Sequence, residues 1–118
     1  MKTVKTSELS GRALDWAVAM ADKLKVSINE LGNVLVKDER FIGVYKPSER
    51  WGLCGKFIGQ LWIEISVEEI DGVDYWYASP PHLVGDYATG STPQEAICRA
   101  VAMVEFGDTV EIPEELLQ

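Results

Sequence analysis

Leu61-Trp62-Ile63-Glu64-Ile65-Ser66-Val67-Glu68-Glu69-Ile70-Asp71-Gly72-Val73-Asp74-Tyr75-Trp76-Tyr77-Ala78 is the most informative run in the chain. Ile63, Ile65 and Val67 alternate with Glu64, Ser66 and Glu68, the two-residue period of a strand with one apolar and one polar face. Asp71-Gly72 then supplies the dipeptide that favours a two-residue reversal, and Val73 to Ala78 reads as the returning strand. Tyr75, Trp76 and Tyr77 are consecutive, so their side chains point to alternating faces and at least one ring is expected to face away from the main core.

Two helical patterns flank this hairpin. Ala13, Leu14, Trp16, Ala17, Met20, Ala21 and Leu24 recur at helical spacing, with Arg12, Asp15, Asp22 and Lys23 outside the stripe, which predicts a helix over 10–24 capped by Ser7 or Ser10. Thr92-Pro93-Gln94-Glu95 is a capping box with proline at the first helical position. Ala96, Ile97, Ala100, Val101 and Val104 follow as an inward stripe, and Gly107 is a left-handed stop. Glu95, Arg99, Ala102, Met103 and Phe106 form a second, partly apolar side of that helix, which requires cover from an irregular loop or from another subunit.

Shorter signals fill the rest. Val26 to Asn29 and Asn33 to Lys37 read as strands around the reversal Glu30-Leu31-Gly32, followed by a strand at 41–45. Residues 46–60, with Pro47 and three glycines, read as a long loop. A short strand is expected near 86–89, and another from Val110 with a stub of helix after Pro113. The sum is one domain over residues 1–118 of the α+β class. It is expected to have an antiparallel sheet of about four to six short strands, with an N-terminal helix and a second helix near the C-terminus packed on it.

The 118 residues carry 19 acidic and 11 basic side chains, a formal net charge of −8. Residues 1–60 hold ten bases and seven acids, whereas residues 61–118 hold twelve acids and Arg99 as their one base. Lys37, Arg40, Lys46, Arg50 and Lys56 make one modestly basic region, and the rest of the surface is acidic. Duplex DNA wants a broad basic face, so that function is disfavoured. No apolar run approaches the length of a spanning helix, and the first ten residues lack the apolar region of a signal peptide, so no membrane role is expected. Cys54 and Cys98 form no CxxC pair and read as free thiols of a reducing cytoplasm.

Catalytic and cofactor motifs are sparse. The sequence has no phosphate-binding glycine loop of the P-loop or GxGxxG kind and no nucleophile elbow, so no cofactor is implied. His82, with Asp86 four residues on, is most simply a loop histidine. The histidine, the two cysteines and the scattered acids do not have a recognised metal-ligand spacing. Binding has better material. Tyr45-Lys46-Pro47-Ser48-Glu49-Arg50-Trp51-Gly52 gathers two cations, a hydroxyl and two aromatic rings, which suits stacking on a base and forked hydrogen bonding to a phosphate. Tyr45, Lys46, Ser48, Arg50 and Trp51 are the candidate ligand residues, and Arg99 is a cation that can aim at the same ligand from the second helix. The structural alternative is that Trp51 plugs the core while Arg50 pairs with Glu49 and Arg99 with Glu95.

The segment Thr6-Ser7-Glu8-Leu9-Ser10-Gly11-Arg12-Ala13-Leu14-Asp15-Trp16-Ala17-Val18-Ala19 resembles the opening of the NinX-like proteins of lambdoid and other tailed phages. The resemblance continues through Tyr45, Pro47, Ser48 and Trp51, through Asp71-Gly72 with Trp76, and through Gly90-Ser91-Thr92-Pro93 leading to Arg99. It closes on Gly107-Asp108, Val110 and Ile112-Pro113-Glu114-Glu115-Leu116, whereas Leu53-Cys54-Gly55-Lys56 and Pro80-Pro81-His82 depart from it. It implies a phage accessory product acting in the cytoplasm of the infected bacterial host, and it brings no biochemical activity with it.

Three functions are then in play. The leading one, to which the other two are alternatives, is a non-enzymatic binder that sequesters a nucleotide-like small molecule, such as an immune signal, for which a homo-oligomer would be well suited. The second is an acidic inhibitor whose hairpin and C-terminal half occupy a basic host protein. The third is a small enzyme that degrades a nucleotide signal.

Overall fold

A computed structural model describes residues 1–117. It confirms the α+β class with both expected helices, and it divides the strands differently from the sequence expectation. In place of one sheet of four to six strands, the described residues form eight strands in three separate antiparallel sheets. β1 (Lys2–Lys5) pairs with β8 (Thr109–Ile112); β2 (Val26–Ile28), β3 (Val34–Lys37) and β4 (Ile42–Val44) form a meander; β5 (Glu64–Ile70), β6 (Val73–Ser79) and β7 (Ala88–Gly90) form the third sheet. The sheets surround a central pair of helices, α1 (Gly11–Ala21) and α4 (Pro93–Phe106).

α1 is shorter than the 10–24 expected and more deeply buried. Lys23 takes a left-handed φ of 59°. The amide of Leu24 then donates to the Ala19 carbonyl at 3.0 Å and that of Lys23 to Met20 at 3.1 Å, a Schellman stop without glycine. Every residue from Ala13 to Ala19 is buried, including Asp15, which the helical stripe had placed outside.

α4 begins where its capping box put it. The Glu95 amide donates to Thr92 Oγ1 at 3.1 Å, and the Glu95 carboxylate accepts from the Ser91 amide at 3.0 Å, one residue outside the usual box. Its second apolar side is covered by the chain itself. The 3-10 turn Thr6–Glu8 lies on it, fixed by Thr6 Oγ1 donating to the Gly107 carbonyl at 2.6 Å, and β6 and β7 pack alongside. Gly90 permits the β7 contact, because a Cβ there would lie 2.6 Å from the Ala96 amide nitrogen.

Residues 46–60, expected as a loop, contain two short helices, α2 (Trp51–Cys54) and α3 (Lys56–Leu61). Three glycines lower their helix propensity, yet Leu53, Cys54, Phe57, Ile58 and Leu61 all belong to or pack on the core, and tertiary burial outweighs propensity. α3 ends on Trp62, a bulky residue with a left-handed φ of 55°, and the Ile63 amide donates to Ile58 at 3.0 Å to close the turn. That conformation is uncommon for an aromatic residue, and it leaves the Trp62 ring 79% exposed.

The central hairpin has the predicted register. Ile70 faces Val73 across Asp71 and Gly72, whose φ values of 54° and 80° are both positive as a type I′ turn demands. Tyr75 and Tyr77 lie on the face opposite Trp76, so two rings of the triplet turn away from the core side.

Candidate functional site

The turn that leads into α2 is built on Asp15. Its Oδ1 accepts the Ser48 amide at 2.9 Å, and the Glu49 and Arg50 amides donate to the Lys46 carbonyl at 3.0 and 3.1 Å. Burial pushes the Asp15 carboxyl up to about 6, against the opposing pull of its hydrogen bonds from Ser48. Ser48 thus serves first as an anchor through its backbone. Pro47 is fully buried beneath it.

Tyr45 belongs to the core. It is 3% exposed, and its ring meets Phe41 edge to face at 5.7 Å. It therefore offers no face for stacking at the surface. Lys46 pairs with Glu49 at 3.8 Å. Arg50 and Trp51 do stand together at the start of α2. Trp51 is 48% exposed, and among the described residues no ion pair or hydrogen bond holds the Arg50 guanidinium.

Arg99 is committed elsewhere. Its Nε donates to the Leu9 carbonyl at 2.7 Å, one terminal nitrogen donates to Thr89 at 2.9 Å, and the same nitrogen lies 3.3 Å from Glu95. The expected pairing with Glu95 is present, and two backbone carbonyls complete the set. This cation ties the N-terminal segment and β7 to α4, and its donors do not point to the 45–51 turn.

Two cations that the sequence had placed only in a general basic region lie beside that turn. Asp22 pairs with Lys56 at 2.5 Å and with Arg40 at 3.7 Å, at the wall of a cleft of about 130 Å³ that also touches Tyr45 and Gly52. Arg40 further donates to the Asp22 carbonyl at 3.0 Å. The cleft is small for an organic ligand, which usually needs roughly 300–1,000 Å³.

The sheet β5–β6–β7 presents the opposite chemistry. Ser66 through Tyr75 are all exposed, with Val67 at 50%, Val73 at 52% and Tyr75 at 42%. One face carries Glu64, Glu68, Tyr75 and Tyr77, and Tyr87 packs edge to face on Tyr77 at 5.3 Å. Burial, and next the Glu68 carboxylate, hold the Tyr77 hydroxyl above its ordinary range. At the base of this face Trp62, Pro81, Val84 and Tyr87 line an open groove of about 560 Å³ that includes Glu64 and Asp86. No lysine or arginine occurs from residue 61 to residue 98. The period-2 pattern announced the polar face and an outward ring of the Tyr75–Tyr77 triplet, whereas the exposure of Val67, Ile70 and Val73 had no signal of its own.

His82 is exposed in the turn before β7, and among the described residues no cluster of three His, Cys, Asp or Glu could hold a metal ion. Cys54 in α2 and Cys98 in α4 are free and buried. No helix among the described residues is long and apolar enough to cross a membrane.

The sequence model described as Bacteriophage P22, NinX matches residues 5–104. The chain belongs to this family. The matched span of the NinX chain runs from the end of β1 through most of α4, so it takes in the Asp15–Ser48 anchor, the exposed hairpin and Arg99 alike. No curated protein matches this NinX-family chain.

Proposed function

We propose that this NinX-family chain is a phage accessory protein of the infected host cytoplasm that works by binding, and that its working surface is the exposed sheet β5–β6–β7, directed at a basic host protein. The observation that carries this reading is the hairpin itself. Ten consecutive residues from Ser66 to Tyr75 are exposed, and they combine Val67, Ile70, Val73 and Tyr75 with four acids. A monomer has no stability reason to extend such a ribbon into water, because apolar and aromatic area left exposed forgoes its burial energy. Interfaces use this mixture, with aromatic anchors inside an acidic field that steers a basic partner.

The test is retention of host proteins on the immobilised chain at low and high salt. The reading expects a basic host protein that is held by the native chain and by an Arg50→Ala/Trp51→Ala variant, is released by salt, and is lost with Glu64→Lys/Glu68→Lys/Asp74→Lys. Retention untouched by the charge reversals would overturn it.

A second reading is favoured by the pairing of Arg50 with Trp51. A cation that pairs with none of the described residues, beside a half-exposed indole, is a platform for a nucleotide-like small molecule, flanked by Lys46 and the Ser48 turn. With Tyr45 in the core and Arg99 bound to carbonyls, that platform is open. Nanomolar sequestration needs about 12 kcal/mol of binding free energy, and stacking on one ring supplies about 1–3 of it. A homo-oligomer that closes the platform would be required, and this places sequestration behind the protein-binding reading.

A further inference from the structure

We infer that the outer edge of β5 accepts an extended basic segment of the partner protein as a fourth strand of the β5–β6–β7 sheet. This rests on the proposed protein-binding function and specifies how the partner is held. β5 is the terminal strand of its sheet, seven residues long, and bonded on one side to β6. Ile70 and Val73 flank the two-residue turn, so they exchange both ladder bonds, and so do the alternate pairs back to Glu64 and Ser79. The amides and carbonyls of Ile65, Val67 and Glu69 therefore point outward. Among the described residues no backbone group bonds to them.

Protein edges of this length are normally blunted by proline, lysine or a covering loop. This one carries none of those. It carries carboxylates, which repel a second acidic strand and attract a basic one. Two copies pairing through β5 would bring two hairpins together, each with Glu64, Glu68, Glu69, Asp71 and Asp74 and no base. A basic strand removes that repulsion.

The register also states what the segment looks like. Glu64, Ser66 and Glu68 lie on one face of β5, and Ile65, Val67 and Glu69 on the other. A strand added alongside places its own side chains in the same two rows. It should carry Lys or Arg opposite Glu64 and Glu68, a small polar residue between them, and apolar residues opposite Ile65 and Val67. The groove beside Trp62 continues this row at the Glu64 end. Such recognition by strand addition takes affinity from the main chain and selectivity from alternate side chains.

The probe is a capped peptide, Thr-Lys-Lys-Val-Thr-Val-Lys, with the same peptide bearing Glu for Lys as its control. Binding to the full chain is followed by titration, and amide hydrogen exchange is read residue by residue. The expected result is binding of the basic peptide alone, with slowed exchange at Ile65, Val67 and Glu69. Val67→Pro removes one outward amide, which the pairing with β6 does not use, and should weaken binding by about ten-fold with the fold retained. Binding without that protection, or unaffected by Val67→Pro, would overturn strand addition and leave the surface reading standing. No binding at low salt by the basic peptide, together with no salt-sensitive host partner, would overturn both. Protection of the same amides in the free protein, rising with its concentration, would assign the edge to a second copy and overturn the basic segment.

Discussion

The Ser48 amide donates to the buried carboxylate of Asp15, and this bond fastens the turn preceding α2 to the middle of α1. The carboxylate is 3% exposed and its pKa is raised from 3.8 to about 6, chiefly by desolvation. Between those values the folded chain holds a proton that the unfolded chain has released, so the Asp15 contribution to stability falls as pH rises through that window. Above it the loss amounts to about 3 kcal/mol. Asp15→Asn keeps the acceptor without the charge. It should raise the urea midpoint at pH 7.5 and flatten the slope between pH 4 and 6.

Arg99→Lys should be nearly as harmful as Arg99→Ala. The guanidinium spans the Leu9 and Thr89 carbonyls from two different nitrogens, and one ammonium cannot reproduce that fork. Loss of these charge-assisted bonds is expected to cost about 2–4 kcal/mol in a urea titration. Retention of a basic partner by the folded fraction should be unchanged.

Trp62→Gly should separate stability from binding. Glycine suits the left-handed stop of α3 better than an exposed indole does, so thermal unfolding should shift upward or stay level, by about 0–1 kcal/mol. Affinity for the basic peptide should fall, because the groove next to Glu64 loses its largest wall. A fall in both quantities would show that Trp62 is needed by the fold.

Arg50→Ala should change stability by under about 0.5 kcal/mol, and Trp51→Ala should cost about 1–2 kcal/mol, since half of that side chain is buried. Native mass spectrometry of the chain purified from infected cells tests sequestration. A nucleotide-sized mass, released intact by heat and absent from the Trp51→Ala variant, would promote that reading over protein binding.

Thr92→Ala should cost about 1 kcal/mol as a lost N-cap. Gly90→Ala should cost more, because its added carbon would meet the Ala96 amide of α4 at 2.6 Å and backbone cannot yield as a side chain can. The two variants, compared by urea denaturation, measure how firmly β7 and the first turn of α4 are joined.

Local signals were legible in the sequence. Asp71-Gly72 fixed the hairpin register, and Thr92 with Glu95 fixed the start of α4. Long-range packing was less so. Nothing near Lys2 or Ile112 reveals that they face each other, and the partition into three sheets depends on that pairing. α2 and α3 were hidden by their glycines and formed by burial of Cys54 and Phe57 against α4. Of the six candidate ligand residues, Arg50 and Trp51 share one exposed surface, with Lys46 beside them. Ser48 acts through its amide, Tyr45 is in the core, and Arg99 is bound to carbonyls. A stripe drawn on a helical wheel placed Asp15 outside because it assumed one buried side, and α1 is buried all round.

The pairing of β1 with β8 sets a condition on the order of assembly. Lys2–Lys5 are made well before residues 109–112 and can find their register only once those have been made. Until then the first strand waits with open edges, and the 3-10 turn that follows it has no Gly107 carbonyl to grip. Closure of so long a loop is a late step with an entropic toll, and the 3-10 turn can settle on α4 only after that helix and Gly107 have been made. A chain cut off before residue 107 would leave the second side of α4 without the turn that grips it. Tethering β8 directly to β1 and opening the chain at the Asp71-Gly72 turn would relieve the wait by making that strand pair local in sequence.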